Sequence, residues 1–148
     1  MKEAIKEAEI AKEKSEIPIG CVIVKNSEII GRGHNEKEAY KNSIYHAEII
    51  ALSRACKTLE HWWLEDCDVY VTLEPCAMCA GAMLNARIRN LYVGARDLRM
   101  GAVGTSIDLS NIENFNHSFK VEFGILEDEC RDILSEFFKN LRKKKKEI

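Results

Sequence analysis

Apolar residues recur at helical spacing in three segments of the chain, and Pro75, which is well placed at the first turn of a helix, indicates a further one, so that four α-helices are predicted. The first segment, for example, places Ile5, Ala8 and Ala11 on one helix face. The fourth opens with acidic residues and closes with basic ones, a charge order that suits the helix dipole. The predicted helices span residues 2–14, 46–59, 76–86 and the segment from Glu127 onwards.

Short apolar or β-branched runs between these helices predict five β-strands. The run "GCVIVK" is apolar almost throughout, which is typical of a strand covered on both faces, and "NSE" after it predicts a hairpin turn. Residues 101–118 follow neither period and are expected to be irregular. The predicted strands are "GCVIVK" (20–25), "IIGRG" (29–33), "CDVYVTL" (67–73), "NLYVGA" (90–95) and "KVEFGI" (120–125).

The order of these elements predicts an α/β fold with helices on both faces of a mixed five-stranded sheet. Strand–helix–strand units should be right-handed crossovers, so we expect a parallel core with one antiparallel edge pair. There is no internal repeat and no Pro/Gly-rich linker. Residues 1–148 are therefore expected to form one domain.

The composition indicates the cellular compartment. No stretch approaches the ~20 apolar residues that a membrane span needs, and the charged N-terminal segment does not resemble a signal peptide. We therefore expect a cytoplasmic protein with no membrane partner. Its six cysteines should stay reduced, and a close cysteine pair then indicates a metal or redox site more than a disulfide.

Charge is uneven although the net value is only −2. Six basic residues and one acid follow Phe138, so a basic C-terminal tail of about residues 139–148 is joined to an acidic body. Such a tail is either a solvated, frayed terminus or an arm that seeks phosphate groups. Charge alone leaves both interpretations of the tail open.

Four residues predict the chemistry. His46 and Glu48 open the second predicted helix, and Cys76 and Cys79 open the third, about thirty residues later. The two thiols at i and i+3 share a helix face. His46 and Glu48, at i and i+2, can approach the same site only if His46 lies at or near the helix cap.

Two thiolates and one imidazole suit a zinc ion and leave a fourth position open, as in catalytic zinc sites. Water at such a position loses its proton near neutral pH, and Glu48 can carry that proton if it stays off the metal. A lone C-x-x-C also occurs in redox and structural zinc sites. However, the remaining cysteines and histidines complete neither pattern; Cys21, Cys56, Cys67 and Cys130 are expected to be core residues, and His34, His61 and His117 surface or core residues.

The combination of H-A-E with P-C-x-x-C is the signature of zinc nucleobase deaminases. The chain resembles the bacterial tRNA-specific adenosine deaminase (TadA) family along nearly its whole length. The resemblance rests on "IPIGCVIV", "GRGHN", "HAEIIAL", "YVTLEPCAMCAGAM", "ARI", "VGARD", "GAVGT", "GILEDEC" and "EFF" followed by basic residues.

The resemblance implies a three-layer α/β/α cytidine-deaminase-like fold and a homodimer whose active site is partly built from the neighbouring subunit. It implies one zinc ion (Zn²⁺) per subunit and hydrolytic deamination of adenosine to inosine at the wobble position of a tRNA anticodon stem-loop. By matching motif, the zinc ligands are His46, Cys76 and Cys79 and the proton carrier is Glu48. The substrate-binding positions are Pro18, Ile19, Asn35, Ala47 (through its amide, like that of Cys76), Leu73, Asp97 and Phe138.

Two segments depart from the family pattern. Ile44-Tyr45 stands where a small pair is usual before the metal histidine, and Arg99-Met100 stands in the segment after "GARD". Substrate detail is therefore less fixed than the chemistry. The same zinc chemistry on a free guanine- or cytosine-type base is the nearest alternative. A non-catalytic, zinc-stabilised RNA-binding subunit and a C-x-x-C redox protein are more distant ones.

Overall fold

A mixed five-stranded sheet carries helices on both faces in the computed structural model, which describes residues 1–148. No helix is both long and apolar enough to cross a membrane. The strands are β1 (Gly20–Lys25), β2 (Glu28–His34), β3 (Asp68–Leu73), β4 (Asn90–Ala95) and β5 (Lys120–Glu122). The helices are α1 (Lys2–Glu13), α2 (Lys37–Tyr40), α3 (Ala47–Leu59), α4 (Ala77–Ala86) and α5 (Glu127–Lys146).

The strand order is β2-β1-β3-β4-β5, and it corrects one prediction. Strands β3, β4 and β5 run parallel, but β1 pairs antiparallel with both β2 and β3. The sequence predicted a single antiparallel pair at the edge. The hairpin places β2 at the edge of the sheet and β1 next to it. After β2 the chain passes through α3, and β3 then pairs with the other side of β1. Strand β1 therefore lies between two strands that both oppose it.

Strand alternation and glycine contacts define the layers. Gly33 pairs with Cys21, so it lies on the face opposite Gly20. A Cβ on Gly20 would lie 1.9 Å from the carbonyl oxygen of Ala4 in α1, and one on Gly33 would lie 2.4 Å from that of Ala47 in α3. Helices α1 and α5 therefore cover one face, and α3 and α4 cover the other. The predicted three-layer α/β/α arrangement is confirmed.

The main core lies between the sheet and helices α3 and α4. It joins the inward residues of the central strands to small residues of both helices, which lets these helices approach the sheet closely. Its members include Cys21, Ile23, Ala47, Ala51, Ala55, Val69, Val71, Ala80, Met83, Leu91 and Val93. Because α3 and α4 are both fixed against this core, their first turns have defined positions at one end of the sheet.

Two elements differ from the sequence prediction. Strand β5 ends at Glu122 instead of Ile125, because Gly124 has a φ of 87°, outside the strand region. Helix α2 was not predicted. It has a single turn that ends at Lys41 in the left-handed conformation, too short for an apolar period to reveal it.

Candidate active site

Helices α3 and α4 begin beside each other, and each begins directly after a predicted metal ligand. His46 is the N-cap of α3 and Cys76 the N-cap of α4; both have extended backbone dihedrals. The expectation that His46 lies at the helix cap is confirmed. Pro75 precedes Cys76, and the short Glu74-Pro75 link from β3 directs the chain into α4. Both helix N-termini offer partial positive charge, which favours thiolates.

The three predicted ligands form one cluster. His46 Nδ1 lies 3.6 Å from Cys76 Sγ and 3.5 Å from Cys79 Sγ, and all three ligand atoms lie within 4.8 Å of one another. A tetrahedral zinc ion, with Zn–N of about 2.0–2.1 Å and Zn–S of about 2.3 Å, separates nitrogen from sulfur by about 3.5 Å. The donor set and its spacing therefore fit zinc. Cys79 is buried, whereas His46 and Cys76 are half-buried, so one side of the cluster is open.

Contacts within the cluster favour one thiolate. A hydrogen bond from Cys79 is the main reason that the pKa of Cys76 falls to about 4, and His46 adds to this effect. The same Cys76–Cys79 contact, together with burial, raises the pKa of Cys79. The hydrogen bond with Cys76 raises the pKa of His46. Cys76 is therefore a thiolate near neutral pH, which is the form of cysteine that binds metals.

Glu48 lies in the first turn of α3 and is buried, with only 4% of its surface exposed. It is not one of the three clustered ligand positions. Burial raises the pKa of its carboxyl, an effect that Cys79 and His46 partly offset. A carboxyl whose pKa is raised towards neutrality can both accept and return a proton. The site therefore holds a candidate general acid–base next to the three ligands.

Asn35 is joined to the segment before β1 by a backbone hydrogen bond. Asn35 directly follows β2, and its N–H donates to the carbonyl of Ile19 at 3.2 Å. Its Oδ1 accepts from the N–H of Lys37 at 3.3 Å, and the residue is buried. Pro18 is also buried, whereas Ile19 is half-buried. Ala47, at the start of α3, packs its side chain into the main core, so only its backbone could contact a ligand.

A cleft of about 830 Å³ brings together four predicted substrate-binding residues, Ile19, Leu73, Asp97 and Phe138. It lies where β3 and β4 end, between the segment after β4 and helix α5. The cluster, Asn35, Pro18 and Ala47 are not among its lining residues. Four of the seven predicted substrate-binding residues therefore line this cleft, whereas Pro18, Asn35 and Ala47 lie outside its lining.

Within the cleft, Asp97 also has a structural role. Its Oδ1 accepts from the N–H groups of Arg99 at 3.0 Å and Met100 at 3.1 Å, which closes a tight turn. Phe138 is 37% exposed on α5 and contacts Phe137 edge-on at 5.5 Å between ring centroids. Arg99 and Met100, which depart from the family pattern, also line the cleft.

Two features of this region were not predicted from the sequence. The cleft is lined by four arginines, Arg96, Arg99, Arg131 and Arg142, which come from separate segments and form no motif in the chain. Glu74 is buried with 2% of its surface exposed, although it is an acid in the middle of "TLEPC". An acid that ends a strand of apolar residues is the one signal that could have revealed it.

The other cysteines and histidines lie apart from the cluster, and all six cysteines are free. Cys21, Cys67 and Cys130 are buried, as predicted, whereas Cys56 is half-buried. His34 contacts two carboxylates, with its Nδ1 2.9 Å from Glu7 and its Nε2 3.2 Å from Glu36. These residues fill structural positions.

Comparison with known proteins places the chain among deaminases. The MafB19-like deaminase family model matches residues 1–142. The tRNA-specific adenosine deaminase of Bacillus subtilis (strain 168) is 53% identical over 146 residues, which are 99% of this chain and 91% of that protein. The tRNA-specific adenosine deaminase of Streptococcus pyogenes serotype M1 is 45% identical over 99% of this chain and 85% of that protein.

Solved structures give the same result at the level of the fold. A structure from a study of A-to-I editing by tRNA:A34 deaminases matches with a TM-score of 0.87 and 40% identity, over 90% of this chain and 97% of the other. The guanine deaminase of Nitrosomonas europaea matches with a TM-score of 0.74 but 24% identity, over 90% of this chain and 80% of the other. The second likeness is one of fold alone.

Proposed function

Because the chain belongs to the tRNA-specific adenosine deaminase family, we propose that it converts adenosine to inosine at the wobble position of tRNA anticodons. The observation that carries the proposal is the meeting of His46, Cys76 and Cys79 beside the buried Glu48. A purely structural metal site needs no acid that can exchange protons. The reaction consumes one water and releases one ammonia.

His46, Cys76 and Cys79 would hold one zinc ion per subunit. That ion would supply a nucleophile at neutral pH by lowering the pKa of a water molecule. Glu48 takes the proton that this water loses and delivers it to N1 of the adenine, which makes C6 electrophilic. Glu48 then takes the proton of the hydroxyl group added at C6 and passes it to the amino group, which leaves as ammonia while the C6 oxygen becomes a carbonyl. Its burial keeps the carboxyl in place and keeps bulk water away from both transfers.

Pro18, Ile19, Asn35 and Leu73 would hold the flipped adenosine. Asn35 is fixed to Ile19 by a backbone hydrogen bond, so its side-chain amide has a defined position for contacts to the nucleoside. Pro18, Ile19 and Leu73 offer apolar surface for the base. The backbone amides of Ala47 and Cys76 lie at two helix N-termini, where N–H groups are free to bind the base or the water.

The rest of the cleft would hold the nucleotides next to the target. Four guanidinium groups can pair with phosphates, and the apolar surface that includes Phe138 can stack on a splayed base. The turn closed by Asp97 brings Arg99 and Met100 to the cleft. We further propose that the enzyme acts in the cytoplasm as a homodimer, with the partner subunit completing this surface.

The deciding experiment measures inosine in an anticodon stem-loop incubated with the zinc-loaded protein. We expect inosine at the wobble adenosine and none when guanosine replaces it. Free adenosine, guanine and cytosine are parallel substrates assayed for ammonia. Release of ammonia from guanine or cytosine, without inosine in the stem-loop, would replace this proposal with the free-base alternative.

A further inference from the structure

Glu74 is a buried acid that the proposed mechanism does not use. It lies between the end of β3 and Pro75, two residues before Cys76, and only 2% of its surface is exposed. A buried carboxylate is stable only when its oxygens are hydrogen-bonded. The partners of Glu74 are therefore informative.

Every hydrogen-bond donor to Glu74 comes from one segment, residues 97–105. Oε1 accepts from the N–H of Asp97 at 3.2 Å, and Oε2 accepts from the N–H groups of Val103 at 3.1 Å and Thr105 at 3.2 Å. The Thr105 hydroxyl also donates to Oε1. Hydrogen bonds to an ionised acceptor are stronger than neutral ones, so this carboxylate holds both ends of the segment.

The segment is folded tightly around the carboxylate. A Cβ on Gly101 would lie 2.5 Å from Glu74 Cδ and 2.6 Å from its Oε1, so only glycine fits at this point. The N–H of Ala102 donates to the carbonyl of Pro75 at 2.9 Å. The segment is thus attached to the link that leads into the cluster as well as to Glu74.

The hydrogen-bond network continues into the cleft. Thr105 Oγ1 accepts from Arg96 at 3.1 Å, and the Arg96 guanidinium lies over the Phe123 ring at 3.8 Å from its centroid. Arg96 and the next four residues, through Met100, line the cleft. The wall formed by residues 96–100 (the cleft wall) is therefore fixed by a carboxylate that lies behind it.

We propose that Glu74 is a positioning residue for the RNA: it holds the cleft wall at a set distance from the His46, Cys76 and Cys79 cluster. This inference rests on the proposed function. Its effect falls on the binding of the nucleotides next to the target, while the chemical step depends on Glu48 and the cluster. Glu74 touches neither the reacting atoms nor the predicted metal ligands.

The test compares Glu74→Gln, Thr105→Val and Thr105→Ser with the wild type, using an anticodon stem-loop as substrate. Glu74→Gln replaces an accepting oxygen by a donating amide that opposes backbone N–H groups. Loss of such charge-assisted bonds should raise KM about tenfold or more, with kcat changed less than about threefold. Thr105→Val should also raise KM, whereas Thr105→Ser, which keeps the hydroxyl, should have the KM of the wild type.

Two further measurements separate positioning from general stability. Hydrogen exchange should speed up at the amides of residues 97, 103 and 105 in Glu74→Gln and stay unchanged in β3 and α4. Val69→Ala, a core truncation at the other end of β3, is the control: it should lower the unfolding midpoint and leave KM unchanged.

An unchanged KM in both Glu74→Gln and Thr105→Val would overturn the inference. So would loss of zinc and of kcat at constant KM, which would assign Glu74 to the metal link instead. A wild-type protein that forms no inosine in the stem-loop contradicts the proposed function itself, so the two failures are distinguishable.

Discussion

Glu48 differs from its three neighbours in the site because it is an acid that the cluster does not need for binding. Its carboxyl is buried and its pKa is raised mainly by burial, whereas the pKa of Cys76 is lowered mainly by Cys79. Two residues of one site are thus adjusted in opposite directions. Perturbed pKa values of this kind are typical of functional sites.

Glu48→Gln tests this division. The amide keeps the shape of the side chain but cannot exchange protons, so we expect kcat to fall by about 10²–10⁴-fold. Zinc content, measured by metal analysis, should equal that of the wild type. Glu113→Gln, at an exposed position, is the matched control and should keep full activity. A fully active Glu48→Gln variant would remove Glu48 from the mechanism.

Cys79→Ala tests the ligand set. Its Sγ lies 3.5 Å from His46 Nδ1 in the buried part of the cluster, so its removal leaves only two donors. We expect the purified variant to contain little zinc and to show no activity. Cys67→Ala removes a buried cysteine outside the cluster and should retain one zinc ion per subunit. Full zinc occupancy in Cys79→Ala would refute the proposed ligands.

At the scale of the elements, the position of α3 decides where His46 and Glu48 lie. Gly33 in β2 permits the close approach, since a Cβ there would lie 2.4 Å from the carbonyl oxygen of Ala47 and 2.7 Å from the nitrogen of Ala51. Both are backbone atoms of α3, so the helix itself would have to move. Strand packing and site geometry are therefore coupled through one glycine.

Gly33→Ala should accordingly damage stability and metal binding together. We expect a loss of about 1–3 kcal/mol in the free energy of unfolding, measured in urea, and weaker zinc binding in competition with a chelator. Gly81→Ala is the control, because nothing lies within 4 Å of its Cβ position in α4. That helical change should stabilise by about 0.5–1 kcal/mol. Unchanged zinc affinity in Gly33→Ala would show that α3 can shift without moving the cluster.

The sequence predicted four of the five helices and the core of every strand, because each has an apolar period, a β-branched run or, for α4, a proline at its start. It also predicted that His46, Cys76 and Cys79 meet, since His46 and Cys76 lie at helix starts that local residues define. It could not predict that β1 lies antiparallel between β2 and β3, which depends on where a crossover lands. The arginine lining of the cleft and the contacts of Glu74 arise from segments that meet only after folding.

Seen over the full fold, basic groups extend from the cleft along α5 into the tail (the basic track). Arg131 and Arg142 of α5 line the cleft, and the tail lysines follow Arg142 directly. Helix α5 continues to Lys146, so most of the tail is helical, and its side chains are exposed. Because the rest of the chain carries more acids than bases, RNA should approach along this track.

Replacement of Lys143, Lys144, Lys145 and Lys146 by glutamine tests whether the tail binds phosphates. Each lost phosphate contact reduces the slope of log K against log salt concentration by about 0.7 for single-stranded nucleic acid, so the slope for an anticodon stem-loop should fall by up to about 3. Replacement of the same four residues by arginine keeps the charge and should keep the slope. The measurement is a fluorescence anisotropy titration at several salt concentrations. An unchanged slope in the glutamine variant would mean that the tail is only a solvated helix end and that the cleft arginines carry the electrostatic attraction.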